Sequence, residues 1–131
     1  MKKVNAANHL DPAAVCKSTD PMAVRELLTK IGDKWTIFAV LSLELLGGRA
    51  RFSALERAIP GISQRMLSLT LKNLERDGLV IREVFPEVPP RVEYEMTGLG
   101  KSLLLPTQGL VDWAKANWEQ VRQAQSTYDA K

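Results

Sequence analysis

A mostly α fold with one small β-hairpin is what three features of this 131-residue sequence predict. The stretch from Pro60 to Gly78 combines a turn signal, a capping serine, an apolar stripe at helical spacing and a terminal glycine. Helical periodicity also fills the segments before this stretch and the segment after Gly98. Between them, Leu79–Phe85 is apolar and β-branched, and Arg91–Met96 alternates polar with apolar. The intervening Pro86-Glu87-Val88-Pro89-Pro90 cannot continue a ladder and reads as a hairpin tip.

Taken in order, residues 1–20 are weakly patterned and read as an N-terminal arm. It enters a helix capped by Asp20 with Pro21 at its first position. Val24, Leu27, Leu28 and Ile31 are expected to point inward, and Gly32 to stop the helix. Asp33 then caps a second helix from Lys34 to about Leu46, ended by Gly47-Gly48. Trp35, Phe38, Leu41 and Leu45 share one face of it, and Ile37, Val40 and Leu43 widen that face. A helix this apolar is the expected centre of the core. Arg49-Ala50-Arg51-Phe52 reads as a short extended link, suited to one strand of a small sheet. Ser53 is expected to cap a third helix reaching about Ile59, with Leu55 and Ile59 inward. After the Pro60-Gly61 turn, Ser63 caps a fourth helix with Leu67, Leu71 and Leu74 inward and Gly78 at its end. The two hairpin strands follow, and Thr97 caps the last helix.

This order of helices, helix-turn-helix and hairpin is a winged helix-turn-helix, spanning residues 21–97, with extra N- and C-terminal helices for dimerisation. Residues 98–131 form the C-terminal dimerisation region of the same compact domain. There Leu99, Leu103, Pro106, Leu110, Trp113, Asn117 and Val121 are spaced alternately by three and four, a seam rather than a broad core-facing stripe. A helix that projects beyond the core needs another surface, and a second copy of the chain is the economical one. Leu103, Leu110, Trp113 and Asn117 are the dimerisation candidates. Pro106 crowds the carbonyl of Ser102, so a kink or break is expected at that proline.

Charge distribution points to a polyanionic partner. The net charge is only +3, but from Arg49 to Arg76 six cations (Arg49, Arg51, Arg57, Arg65, Lys72, Arg76) stand against Glu56 and Glu75, a local +4. On the fourth helix Arg65, Ser68, Leu69, Lys72 and Arg76 face away from the apolar stripe and include no carboxylate, whereas an ordinary solvated face mixes both signs. Double-stranded DNA is the partner this face suits. Ser63, Gln64, Arg65, Ser68, Leu69 and Lys72 are the candidates for base or phosphate contact. Arginine can grip guanine bidentately, glutamine can pair with adenine, and leucine can pack on a thymine methyl. The plainer reading is a solvated face with Ser63 as a cap only. Motif, charge and wing agree in favouring DNA. Arg91 at the wing tip suits phosphate or the minor groove, or else a cross-strand ion pair with Glu87 or Glu93. Lys34 and Ser53 lie at helix starts, where free N–H groups favour phosphate, and Arg51 adjoins Ser53. Local capping or surface exposure is the alternative for Lys34 and Ser53.

Other classes are disfavoured. No apolar run approaches the roughly 18 residues of a membrane span, and Met1–Asn8 has no apolar core of a secretory signal. One cysteine forbids an intrachain disulfide, and a cytoplasmic protein is expected. His9 has no second ligand nearby, so no metal is expected. Gly98-Leu99-Gly100 is only a fragment of a phosphate-binding loop, and no catalytic constellation or cofactor site is visible. Trp113 and Trp118 suit interface packing, with a ligand pocket at a dimer seam as the sharper alternative. A small-molecule effector of undetermined identity is admitted as a further partner.

From Ile31 to about Ala116 the chain resembles the HxlR-type transcriptional regulators, a bacterial family of dimeric winged-helix proteins. The resemblance is carried by Ile31-Gly32-Asp33-Lys34-Trp35-Thr36, Arg51-Phe52-Ser53-Ala54-Leu55 and Ile59-Pro60-Gly61-Ile62-Ser63-Gln64-Arg65-Met66-Leu67. It continues through Leu74-Glu75-Arg76-Asp77-Gly78-Leu79-Val80, Pro86-Glu87-Val88-Pro89-Pro90-Arg91-Val92-Glu93-Tyr94 and Thr97-Gly98-Leu99-Gly100. It implies a homodimer that binds DNA through the second helix of the motif and the wing. Many such proteins carry a cysteine ahead of the first helix of this pattern, and in some it senses oxidants or electrophiles. Counted back from Trp35, that position holds Met22 here, with Cys16 six residues upstream. A redox or electrophile sensor switched through Cys16 is the second functional reading, with Cys16 displaced from the position the resemblance implies.

Overall fold

The structure, a computed structural model, describes residues 20–131; residues 1–19 of the arm, with His9 and Cys16, lie outside the described residues. Asp20 accepts a hydrogen bond from the Met22 amide (3.1 Å) and opens helix α1, Pro21–Ile31. Asp33 accepts from Trp35 (3.0 Å) and Thr36 (3.3 Å) at the start of α2, Lys34–Leu45. Then come β1 (Arg49–Arg51), α3 (Phe52–Ala58), α4 (Gln64–Arg76), β2 (Val80–Phe85), β3 (Arg91–Met96), α5 (Gly98–Ser102) and α6 (Leu104–Asp129). The strands form one antiparallel sheet in the order β1-β3-β2.

The core is centred on α2, as its composition predicts. Ala39, Val40 and Leu43 are fully buried and meet Leu55 and Ile59 around α3, Leu67, Leu71 and Leu74 of α4, and Tyr94 and Met96 of β3. Gly32 closes α1 in right-handed geometry (φ −84°), whereas the other two glycine stops are built alike. Beyond α4, Gly78 takes φ +79°, its amide donates to Glu75, and the Leu79 amide donates to the Leu74 carbonyl (2.9 Å). Beyond α2, Gly48 donates to the Leu43 carbonyl (2.7 Å). Each is a left-handed helix closure that a side chain would strain.

Five expectations are corrected. Leu27 and Leu28 of α1 do not point into the core but are about half exposed (47% and 56%), because α1 lies at its margin. Phe38 is likewise exposed and stacks edge-to-face on Trp35, and Leu45 is 86% exposed. α2 is apolar around its whole circumference, so periodicity alone could not choose its buried side. Ser53 is not a cap: α3 already begins at Phe52, with Arg51 in the cap position and no side-chain capping bond. The C-terminal helix does break, but at Leu103, ahead of Pro106. Pro106 thereby falls in the first turn of α6, where its missing N–H has no intrahelical partner to lose. Thr97 caps only the short α5, accepting from Gly100 at 3.0 Å.

Candidate nucleic-acid interface

Helix α4 is held at a defined rotation. The Ser63 hydroxyl accepts from the Met66 amide at 3.0 Å, satisfying one free donor of the first turn. Leu67, Thr70, Leu71 and Leu74 are buried against α2 and the sheet. Thr70 extends the stripe read from sequence; its i+3 spacing from Leu67 was the available signal. With that side fixed, Gln64, Arg65, Ser68, Leu69, Lys72 and Arg76 are all exposed on the rest of the helix. Among the described residues, no carboxylate lies within ion-pair distance of Arg65, Lys72 or Arg76. The face is open, cationic and uncompensated, with Leu69 as its one large apolar side chain. At its far end the C-cap Asp77 accepts an ion pair from Lys30 of α1 (3.4 Å).

The structure brings a second group of candidates together. Arg51, Ser53 and Arg91 line one cleft of about 460 Å³ between the start of α3 and the wing tip. Arg51 and Ser53 are exposed there. Lys34 is placed elsewhere, with its ammonium 4.7 Å from the centroid of its neighbour Trp35 at the start of α2. Ser63 is occupied as a cap, so its side chain has a structural task whatever else it touches.

Arg91 takes the cross-strand role that the sequence left open. Its Nη1 lies 3.0 Å from Glu87, and its Nε lies 3.1 Å from Glu93 without the alignment of a hydrogen bond. Its guanidinium also lies over the Phe85 ring, 4.0 Å from the centroid. The residue sequence reasoning missed is Arg49. By sequence it belongs to the cationic band, yet its guanidinium pairs with Glu83, Glu93 and Glu95, the last at 2.8 Å. Only the strand order could reveal this, because β1 pairs with β3 across more than forty intervening residues. All four wing carboxylates are thus in ion pairs.

These contacts set the titration of the wing. The hydrogen bond from Arg49 holds the Glu93 carboxyl below its ordinary value of 4.5, outweighing desolvation. The carboxylates of Glu83 and Glu93 in turn raise the pKa of Arg49. A lowered carboxyl pKa stabilises the folded state fully above the ordinary value, and the contribution is lost as pH falls through the native value. Amide exchange in the hairpin is therefore expected to accelerate as pH drops below 4.5, after correction for intrinsic rates. Glu93→Gln should flatten that response; an unchanged acid response in the variant would contradict it.

The three-stranded wing, the helix-turn-helix α3–α4 and the open cationic face of α4 define a winged helix-turn-helix transcriptional regulator. The chain belongs to the HxlR-like helix-turn-helix family, which it matches over residues 30–122. It is 46% identical over 93 residues to an uncharacterized HTH-type transcriptional regulator of Methanothermobacter thermautotrophicus, covering 71% of this chain and 70% of that protein. It is 38% identical over 97 residues to the uncharacterized HTH-type regulator YtfH of Escherichia coli, covering 74% and 75%. Among solved structures, ytfH from Salmonella typhimurium superposes with a TM-score of 0.72 at 36% identity, over 79% of this chain and 90% of that one. The redox regulator HypR in its reduced form gives 0.65 at 38% identity, over 77% and 98%. No helix among the described residues is long and apolar enough to cross a membrane.

Proposed function

We propose that the chain binds operator DNA sequence-specifically as a homodimer on an inverted repeat and so controls transcription in the cytoplasm. The observation that carries this reading is the outer face of α4, exposed along its length with three cations and no carboxylate partner among the described residues. In this reading Gln64, Arg65, Ser68 and Leu69 meet base edges, and Lys72 and Arg76 meet phosphates. Arg51, Ser53 and Arg91 line a cleft where the sugar-phosphate backbone passes between α3 and the wing. Residues 21–97 are the DNA-binding part and residues 98–131 the dimerisation part.

The dimer reading is supported by apolar surface that this protomer leaves uncovered. Leu110, Trp113 and Trp118 on α6 are each more than half exposed. Leu103, also on this seam, is half-buried against the protomer's own core. Asn117 donates one amide N–H to the Trp113 carbonyl at 2.8 Å, which leaves its Oδ1 free for a partner across the seam. Sedimentation at micromolar concentration tests the assembly. The full chain is expected as a dimer and the chain ending at Pro106 as a monomer. Because α6 also packs on α2, Leu110→Ser with Trp113→Ser serves as the milder variant. Dimers that survive both changes would count against the seam. Titration of the full chain against genomic and scrambled DNA at several salt concentrations tests the function, with a steep loss of affinity in salt expected.

A second reading rests on two solved neighbours, the redox regulator HypR and the diamide-treated YodB, the latter at a TM-score of 0.58 and 34% identity. In it, Cys16 chemistry switches DNA binding. Alkylation of Cys16 that leaves operator affinity unchanged would exclude it.

A further inference from the structure

We propose that Arg49 is the positioning residue of the wing. It ties β2 and β3 to the strand that leads into the helix-turn-helix, and it neutralises carboxylates that would otherwise repel DNA. The inference rests on the reading of the chain as a DNA-binding protein.

The sheet has two unlike faces. Tyr94 and Met96 of β3 enter the core, so by strand alternation Arg91, Glu93 and Glu95 lie on the opposite face. The register sets Arg49 beside Glu95, Arg51 beside Glu93, Glu83 beside Glu93, and Phe85 beside Arg91 on that same face. Glu83 and Glu93 therefore stand directly opposite one another on adjacent strands, a like-charge pairing that destabilises a sheet on its own. One guanidinium resolves it. Arg49 donates through Nη2 to Glu83, through Nε to Glu93 and through Nη1 to Glu95. Only arginine offers that many donors in one plane. Phe85 completes the arrangement, with the Arg49 guanidinium 5.7 Å and the Arg91 guanidinium 4.0 Å from its centroid.

Position explains why this matters to the interface. Arg49 opens β1, and Arg51 at the other end of that strand directly precedes α3. The ion pairs thus couple the hairpin to the first helix of the DNA-binding motif. Three of the five N–H donors of this guanidinium are held by carboxylates, and its charge is shared among them. Its contribution is to keep three negative charges paired within the wing, where they would otherwise act on DNA across about a Debye length, ~10 Å.

The test uses the full chain. Arg49→Gln is expected to raise amide exchange across residues 80–96 by about tenfold without DNA, and to weaken operator binding by about tenfold at low salt, with the deficit shrinking in high salt. Adding Glu83→Gln and Glu95→Gln removes two of the freed charges and leaves Glu93 to Arg91. That triple variant should recover exchange and affinity to within about threefold of the original chain. Unchanged exchange and affinity in Arg49→Gln would overturn the proposal. So would a triple variant that binds no better than Arg49→Gln, the pattern of an arginine that touches phosphate itself. Should the original chain bind no DNA, the functional reading fails by itself. The exchange results still decide the role of Arg49 in the wing: acceleration and recovery support it, and their absence overturns it.

Discussion

Arg65→Ala is expected to cost about 1–3 kcal/mol of operator affinity and to relax the preference at one base position, because a bidentate arginine reads a single base pair. Lys72→Ala should behave differently. An ammonium on phosphate carries no sequence information, so its loss weakens operator and scrambled DNA alike and lowers the slope of log K against log salt by about 0.9. Neither change should disturb the fold, since both side chains are exposed and without ion-pair partners among the described residues. The comparison therefore separates reading from holding on one helix face. Original affinity and original salt slope in both variants would remove α4 from the interface.

The second large effect concerns operator geometry. A two-fold dimer presents two copies of α4 related by the axis that relates the chains, and each needs a major groove facing it. Those grooves recur on one side of B-DNA about every 10–10.5 base pairs, so half-site centres should be separated by one turn or a whole multiple. Inserting about five base pairs turns one groove to the far side and is expected to abolish cooperative binding. Inserting about ten should restore part of it where the DNA can bend. Binding indifferent to the half-turn insertion would contradict the symmetric arrangement.

How much of this was legible in the sequence depends on how many local signals agreed. The α4 helix carried a turn, a cap, an apolar stripe and a closing glycine, and all four describe the observed helix, from the Ser63 cap to the left-handed Gly78. The hairpin was equally plain, because prolines marked its tip and alternation marked β3. Where a signal stood alone it misled. Ser53 has the chemistry of a cap, but the extended chain ends one residue earlier and the helix starts at Phe52. The α2 helix offered apolar residues on every side, so nothing in its pattern distinguished buried Leu43 from exposed Leu45. Leu27 and Leu28 have the spacing of an inward face, but this protomer leaves both about half open. The Arg49 cluster was hidden for a different reason. It depends on a pairing between strands far apart in sequence, and a linear count of charges assigned Arg49 to the partner rather than to the wing.

The proposed symmetric operator, read by paired copies of α4, implies a specific pattern in genomic DNA. Protection of genomic DNA fragments by the purified protein tests it most directly. The predicted footprint is a small set of fragments, each with an inverted repeat whose half-site centres lie about one helical turn or a whole multiple apart, with protection reaching the flanking backbone under the wings. Protected direct repeats, or uniform protection without sequence preference, would contradict it.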